Sequence, residues 1–526
     1  MKKIAKFLIV LGMMGQLSSC DYLDIVPDER AQESDTWKTE GAVRGYLYSC
    51  YGYLPANRTF GNSYWLAEEL TAVTKELFTT FKYGYYSPVS LGFTSNTWST
   101  IWNGIHQCYM FQESLKQVSN EYVTDEMKKQ YLAESNFLIA YYHFLSMRSY
   151  GPTMIIRSVI DLETPISGFP ERSSIDEVVA FINEKLDEAM SEGGLPTTWS
   201  GKDYGRATRL AALALKSRVY LYAASPLYNG NTEMYADFRS PLDGRQLIAQ
   251  EKSQAKWEIS ATQTKYAIDE VEKAKFHLYH DADAGEPSDA KPGLPNKAQR
   301  RLRYTNIDNQ TGNNPEIIWA DTRNDDYYGI QRRCPPRQTL GGKFAGISMT
   351  NCPTLQTIEA FYTKNGLPIN KDKTFDYDER YEYINAPENC DGNNYEDLVK
   401  YANFTPSSDK VMRLCTDREP RFYAWTTYHN GYFEFGKYNN EEISADPAKR
   451  AIRIHLLRDD PHGRGNRTDQ EYSISGFGNK KGVVPSAEWN VIEYPFPLFR
   501  LAELYLNYAE ALVELDRLSE AKVYLD

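Results

Sequence analysis

The chain has 526 residues, 41% of them hydrophobic and 25% charged, a composition that supports a large folded core and excludes a disordered chain. Its formal net charge of -12 argues against nucleic acid or an anionic membrane surface as a partner. Tyrosine is in excess, 40 against 22 phenylalanines; a ring with a flat apolar face and a hydroxyl serves both helix packing and wet binding surfaces.

Lys2, Lys3 and Lys6 precede a short apolar run from Phe7 to Met14, arranged as a secretory signal and too short to span a bilayer. Leu17-Ser18-Ser19-Cys20 then follows in the order of a bacterial lipobox. Residues 1–19 are expected to be removed and Cys20 to be acylated on its thiol and new amino group, which gives stable anchoring. Residues 20–34 would form the lipidated tether, with a proline at 27. No later segment has the apolar length to cross a membrane, so the lipid would be the sole anchor. The other cysteines stand at 50, 108, 334, 352, 390 and 415. Disulfides among them are permitted, with connectivity open. No C-x-x-C spacing occurs, so a zinc or redox motif is not expected.

Ser34 or Asp35 can cap a helix from Trp37 to about Tyr53. Residues 55–97 are turn-rich, with Tyr83, Tyr85 and Tyr86 among polar neighbours. A second helix is predicted from Trp98 to about Val118, and a third from Asp125 to Tyr150, stopped by Gly151-Pro152. Ser174 caps a fourth, to about Ser191. The segment Gly205 to Tyr228 is central. Leu210, Leu213, Ala214, Ser217, Tyr220, Leu221 and Ala224 recur at helical spacing, alanines allow close helix approach, and Pro226 with Ser225 before it ends the helix. A further helix covers 253–277. These elements place a helical region at 35–280. Periodicity weakens from 281 to 494, where Gly, Pro, Asn and Asp are dense around anchors such as Ile317-Ile318-Trp319. That stretch reads as a loop-rich subdomain. Leu501, Leu504, Tyr505, Tyr508, Ala511, Leu512 and Leu515 then form one apolar stripe, opening a helix pair over 495–526.

The wording of several segments is more specific than their patterns. "GRATRLAALALKSRVYLYAASPLYN" closely resembles the central helix of the SusD/RagB family, the surface nutrient-binding lipoproteins of Bacteroidetes. "YLAESNFLIAYYHFLSMRSYGPTMII" is similar to that family's third helix, apart from Ser135-Asn136 where an arginine is usual. "NPEIIWA", "PTLQTIEAFYTKNGLPI", "DREPRFYAWTTYHNGYF" and "PLFRLAELYLNYAEALVE" resemble its later motifs, in order. The resemblance implies a mainly α fold, a tetratricopeptide-like superhelix of helix pairs carrying the loop-rich subdomain. It implies an outer-membrane lipoprotein facing outside, with a SusC-like TonB-dependent transporter as partner. The ligand would be an oligosaccharide or polysaccharide, with peptide as the variation. Family members continue past the equivalent of Asp526, so a truncated sequence is expected.

A sugar has an apolar C–H face and a polar rim, held by an aromatic ring and by Asn, Asp or Arg groups. By position, the family's ligand loops correspond here to Tyr83, Tyr85 and Tyr86 in the first and to Asn324, Asp325, Tyr327, Tyr328 and Arg332 in the second. No catalytic motif, cofactor or metal site is expected. His277 and His280 stand at i, i+3 without an acidic third ligand at a recognisable spacing, Gly341-Gly342-Lys343 lacks the rest of a P-loop, and no G-x-S-x-G occurs. A surface hydrolase is the remaining alternative.

Overall fold

The computed structural model describes residues 37–55, 69–72, 93–161, 163–280, 283, 297–308, 314–323, 330–336, 349–385, 410–434, 451–460, 462–465, 472–484 and 493–526. The leader, the tether, Cys20 and the Ser34–Asp35 cap lie outside them. The first described helix, α1 (Glu40–Tyr51), is capped by Thr39, whose hydroxyl accepts the Ala42 N–H at 3.1 Å. It therefore starts three residues later than the pattern suggests.

The fold is mainly helical. α2 (Phe93–Leu115), α3 (Asp125–Tyr150), α4 (Ile175–Ala189), α5 (Arg209–Ala224) and α6 (Gln254–Lys273) pack each on the next in chain order. Their ends follow from local chemistry. Thr124 caps α3 through the Met127 N–H at 3.3 Å, and Gly151, with φ of 71°, ends it. Ser174 and Glu177 form a reciprocal capping box on α4, with Glu177 N–H to Ser174 Oγ at 3.3 Å and Ser174 N–H to the Glu177 carboxylate at 2.7 Å. Ser225 leaves the helical region at ψ 153° before Pro226.

α3 is the innermost element. Every residue from Ala133 to Met147 is buried, because α1, α2, α4 and α5 all contact it. α5 is likewise buried almost all round, so the single apolar face expected for it is too narrow: Ala211, Ala212, Leu215, Lys216 and Val219 are buried too. A helix enclosed on all sides loses the amphipathic signal that marks a surface helix.

The sequence preceding α5 is explained by its contacts. Gly205, at φ +101°, lies so close to Thr322 that a Cβ there would sit 2.9 Å from the Thr322 side chain. Arg206 turns inward to Glu134 on α3, and Thr208 caps α5 through the Ala211 N–H at 3.0 Å.

In the loop-rich half the described strands pair in twos. The longest pair joins β4 (Ile317–Asp321) to β12 (Phe496–Arg500). It seals onto α3: the Trp319 ring lies 5.0 Å from Phe137, 5.2 Å from Tyr141 and 5.7 Å from Phe499. The last long helix, α11 (Leu501–Glu514), leaves β12 directly and returns to pack on α6 and α5. Arg218 of α5 ties it down through Glu503, at 2.5 Å and 2.6 Å, and the Leu498 carbonyl at 2.8 Å. α12 (Leu518–Val523) follows it. A second core forms around Ile358, Leu414, Phe422, Tyr423 and Tyr428. The cysteines at 50, 108, 334, 352 and 415 are buried free thiols. Among the described residues no helix is long and apolar enough to cross a membrane.

Candidate functional site

The loops expected to hold ligand leave the fold from two described points. Tyr83, Tyr85, Tyr86, Asn324, Asp325, Tyr327 and Tyr328 lie outside the described residues. The chain entering the first loop does not. It ends at Leu54 and Pro55, and the chain entering the second ends at Arg323, immediately after β4. These two points are joined. The Arg323 guanidinium donates to the Leu54 and Pro55 carbonyls, each at 2.9 Å, and to the Asp321 carboxylate at 2.7 Å and 2.9 Å. A planar fork with five donors can satisfy two carbonyls and a carboxylate at once; a lysine could not. Burial opposes the Arg323 charge, but Asp321 outweighs it and holds the guanidinium pKa above its ordinary value.

The first loop is tacked down again partway. β1 (Leu70–Thr71) pairs with β5 (Cys352–Pro353), and the Glu69 carbonyl accepts from Thr354 N–H at 2.9 Å and Thr357 Oγ1 at 3.0 Å. Arg332 lies half-buried on the short helix Ile330–Arg333, where the second loop re-enters the fold. That helix is held by the Asn351 N–H on the Arg333 carbonyl at 3.0 Å. The first expected loop is thus anchored beside β4 and at the start of α9 (Leu355–Ala360), the second beside β4 and at Asn351.

The base of this half is set by Arg418, from the "DREPRF" segment. It is 3% exposed, and its guanidinium donates only to backbone carbonyls: Leu414 at 2.6 Å, Phe361 at 2.6 Å, Ile358 at 2.8 Å and Tyr362 at 3.3 Å. It also lies over the Phe422 ring at 4.9 Å. Burial lowers its pKa, outweighing the pull of Tyr423, Cys415, Glu419 and Glu359.

This half also holds a feature that the sequence does not predict. A hollow of about 500 Å³ is lined by Ile369–Asp378, beneath a turn organised by Asp372. That carboxylate accepts from Thr363 Oγ1 at 2.6 Å, Thr374 Oγ1 at 2.7 Å, Thr374 N–H at 2.9 Å and Asn365 Nδ2 at 3.0 Å, which hold its pKa far below the usual range. Beside it Arg380 lies 4.0 Å from the Tyr377 ring centre and 4.4 Å from that of Tyr381, and Glu359 accepts from Arg380 and Tyr381. Tyr381 is 41% and Tyr383 39% exposed. Flat aromatic faces bordered by fixed charged groups match what sugar recognition requires. The signal was present as Tyr377, Tyr381 and Tyr383 in one short stretch. His277 and His280 are exposed, their rings stacked at 5.4 Å, with Asp283 at 3.5 Å from His277.

Two family models match the chain. One, described as the SusD family, covers residues 315–526; the other, described as starch-binding and associating with the outer membrane, covers residues 21–221. No curated protein sequence matches. Among solved structures, one named BT4246 is 27% identical, with 93% of this chain and 81% of that one covered at a TM-score of 0.75. A SusD-like protein from Bacteroides fragilis (BF3747) is 20% identical, covering 94% and 78% at 0.63. A SusD-like carbohydrate binding protein from the same species (BF0978) is 18% identical, covering 91% and 75% at 0.54.

Proposed function

We propose that this chain, which belongs to the SusD family, is a surface lipoprotein that captures a nutrient oligomer and passes it to a SusC-like TonB-dependent outer-membrane transporter. The ligand class we assign is a glycan. The observation that carries the reading is the Arg323 brace, which joins the start of the turn-rich stretch 55–97 to the residue just before the second expected loop, Asn324 to Arg332. The family description as starch-binding and associating with the outer membrane supports the same ligand and location.

In this reading the protein binds and does not turn over its ligand. A lid that captures an oligomer needs a broad, rigidly based surface, with affinity spread over several sugar units. The helical layer supplies the rigid base, and the loops supply aromatic faces and hydrogen-bonding groups. Acylated Cys20 tethers the lid through 21–34, so it can swing against the transporter without leaving the membrane.

The test is calorimetry on a soluble chain beginning at Asp21, against panels of oligosaccharides and peptides, with Tyr85→Ala and Tyr327→Ala beside the parent. Saturable glycan binding, weakened by either substitution, is the expected result. Binding of peptides alone would move the ligand class to peptide. Release of shorter sugars during incubation would replace capture by hydrolysis.

A further inference from the structure

Three of the seven histidines, at 429, 455 and 462, meet at the open end of one hairpin. β9 (Tyr432–Glu434) and β10 (Ala451–Arg453) pair antiparallel, and the ladder continues outward: Asn430 N–H donates to the Ile454 carbonyl and Ile454 N–H to the Gly431 carbonyl. One step further the backbone of Leu456 donates its N–H to His429 Nδ1 at 3.0 Å. The chain then closes a tight loop. His462 N–H donates to the His455 carbonyl at 3.1 Å, and His462 Nδ1 accepts the His455 N–H at 2.9 Å. Inside that loop Asp460 Oδ2 accepts the Leu457 N–H at 2.9 Å.

These contacts fix the character of the atoms that face each other. An Nδ1 that accepts an N–H carries a lone pair and no proton, so His429 is neutral there. Asp460 Oδ2 lies 3.4 Å from that nitrogen. Each of the two atoms already accepts a backbone N–H, from Leu456 and from Leu457, and no proton lies between them. A tetrahedral metal with bonds of about 2.0–2.1 Å sets its ligands roughly 3.3–3.4 Å apart. One ligating atom from each of His429, His455 and Asp460 lies within 4.8 Å of the other two. The His429 and Asp460 side chains are 14% and 29% exposed, which leaves an entry path while keeping the site partly dry.

We propose that His429, His455 and Asp460 form a binding site for a divalent transition metal of the zinc class. Two imidazoles and one carboxylate match that class and disfavour calcium and magnesium, which take oxygen ligands. His462 is a positioning residue: it is 3% exposed and locks the backbone of His455 on both sides. Loading requires the His429 lone pair to turn from the Leu456 N–H to the metal. The metal would staple the β9–β10 end to the 455–462 loop, a structural staple separate from glycan capture.

The experiment uses the whole mature chain, freed of any affinity tag and stripped with chelator, titrated with zinc chloride by calorimetry. Calcium and magnesium chloride serve as comparisons, and Co²⁺ as a spectroscopic probe. One Zn²⁺ per chain is expected, with visible Co²⁺ absorption of tetrahedral intensity. Binding at least tenfold weaker is expected in His455→Ala, and independently in Asp460→Asn, with circular dichroism checking that each variant folds. Absence of stoichiometric Zn²⁺ binding would overturn the proposal. So would Zn²⁺ binding unchanged in both variants, or a preference for Ca²⁺.

Discussion

Replacing Arg206 by methionine should cost this protein roughly 3–5 kcal/mol, because it strands a carboxylate at the centre of the helical layer. Glu134 is fully buried on α3. It accepts from Arg206 Nη2 at 2.5 Å, Arg206 Nε at 3.2 Å and the Tyr51 hydroxyl at 2.7 Å. The Tyr51 hydroxyl in turn accepts the Ala207 N–H at 2.9 Å, and Arg206 Nη1 reaches Asp203 at 2.8 Å. The substitution removes two of the three donors to Glu134, each charge-assisted bond being worth about 1.5–3 kcal/mol. The substitution also removes the guanidinium, whose carbon lies 4.1 Å from the Trp199 ring centre, while methionine keeps the aliphatic stem, so the loss is chiefly electrostatic.

A pH dependence accompanies it. Burial already raises the Glu134 pKa, against the pull of Arg206 and Tyr51, and without the guanidinium it rises further. A carboxylate whose folded pKa lies above its unfolded value is least costly when protonated. The penalty in Arg206→Met should therefore shrink as the pH falls from 7 towards 5. Guanidinium denaturation followed by both tryptophan fluorescence and far-ultraviolet circular dichroism, at the two pH values, measures it. The pair Glu134→Leu and Arg206→Met completes a double-mutant cycle in which the double variant should lose about 2 kcal/mol less than the sum. An Arg206→Met variant within 0.5 kcal/mol of the parent, or strict additivity in the cycle, would refute the reasoning.

Arg418→Lys should destabilise the loop-rich half by about 2–4 kcal/mol, since a lysine cannot serve the four carbonyls that the guanidinium forks between; limited proteolysis should then cut first within 351–434, and an unchanged cleavage pattern counts against that role. His143 is fully buried on α3, with Nδ1–H on the Ile139 carbonyl at 2.8 Å and Nε2 accepting the Ile156 N–H at 3.3 Å. Burial above all pushes its pKa down to about 4. The folded value is depressed, so the stability it supports is complete above about pH 6.5 and is lost as the pH falls towards 4. By pH 4.5 the loss reaches roughly 2–3 kcal/mol, and denaturation midpoints of the parent against His143→Gln should converge over that window.

Elements whose ends carry their own chemistry were legible in the sequence. α3 begins and ends where the pattern places it because Thr124 and Gly151 supply both caps. α4 begins where Ser174 and Glu177 close their box. The pairing of β4 with β12 was not legible, since residues 321 and 496 are brought together only by the completed helical layer. Strands of two or three residues, such as β1 and β11 (Gly478–Asn479), carry no periodicity to read. The site divides the same way. The loops could be placed by resemblance, but their shared root could not, because Arg323 meets Leu54 and Pro55 only through the tertiary fold. The histidine cluster was equally hidden, 25 residues separating His429 from His455.

The central claim is that ligand is held on the loops rooted at Arg323, and a hydrogen-exchange footprint tests it most directly. The mature chain is compared by mass spectrometry with and without the oligosaccharide that the panel selects, at saturating concentration. Slowed exchange in peptides covering 73–92 and 324–336, with the helices α3 to α6 unchanged, is the predicted result. Slowing confined to other surfaces, or no slowing at saturation, would contradict the account.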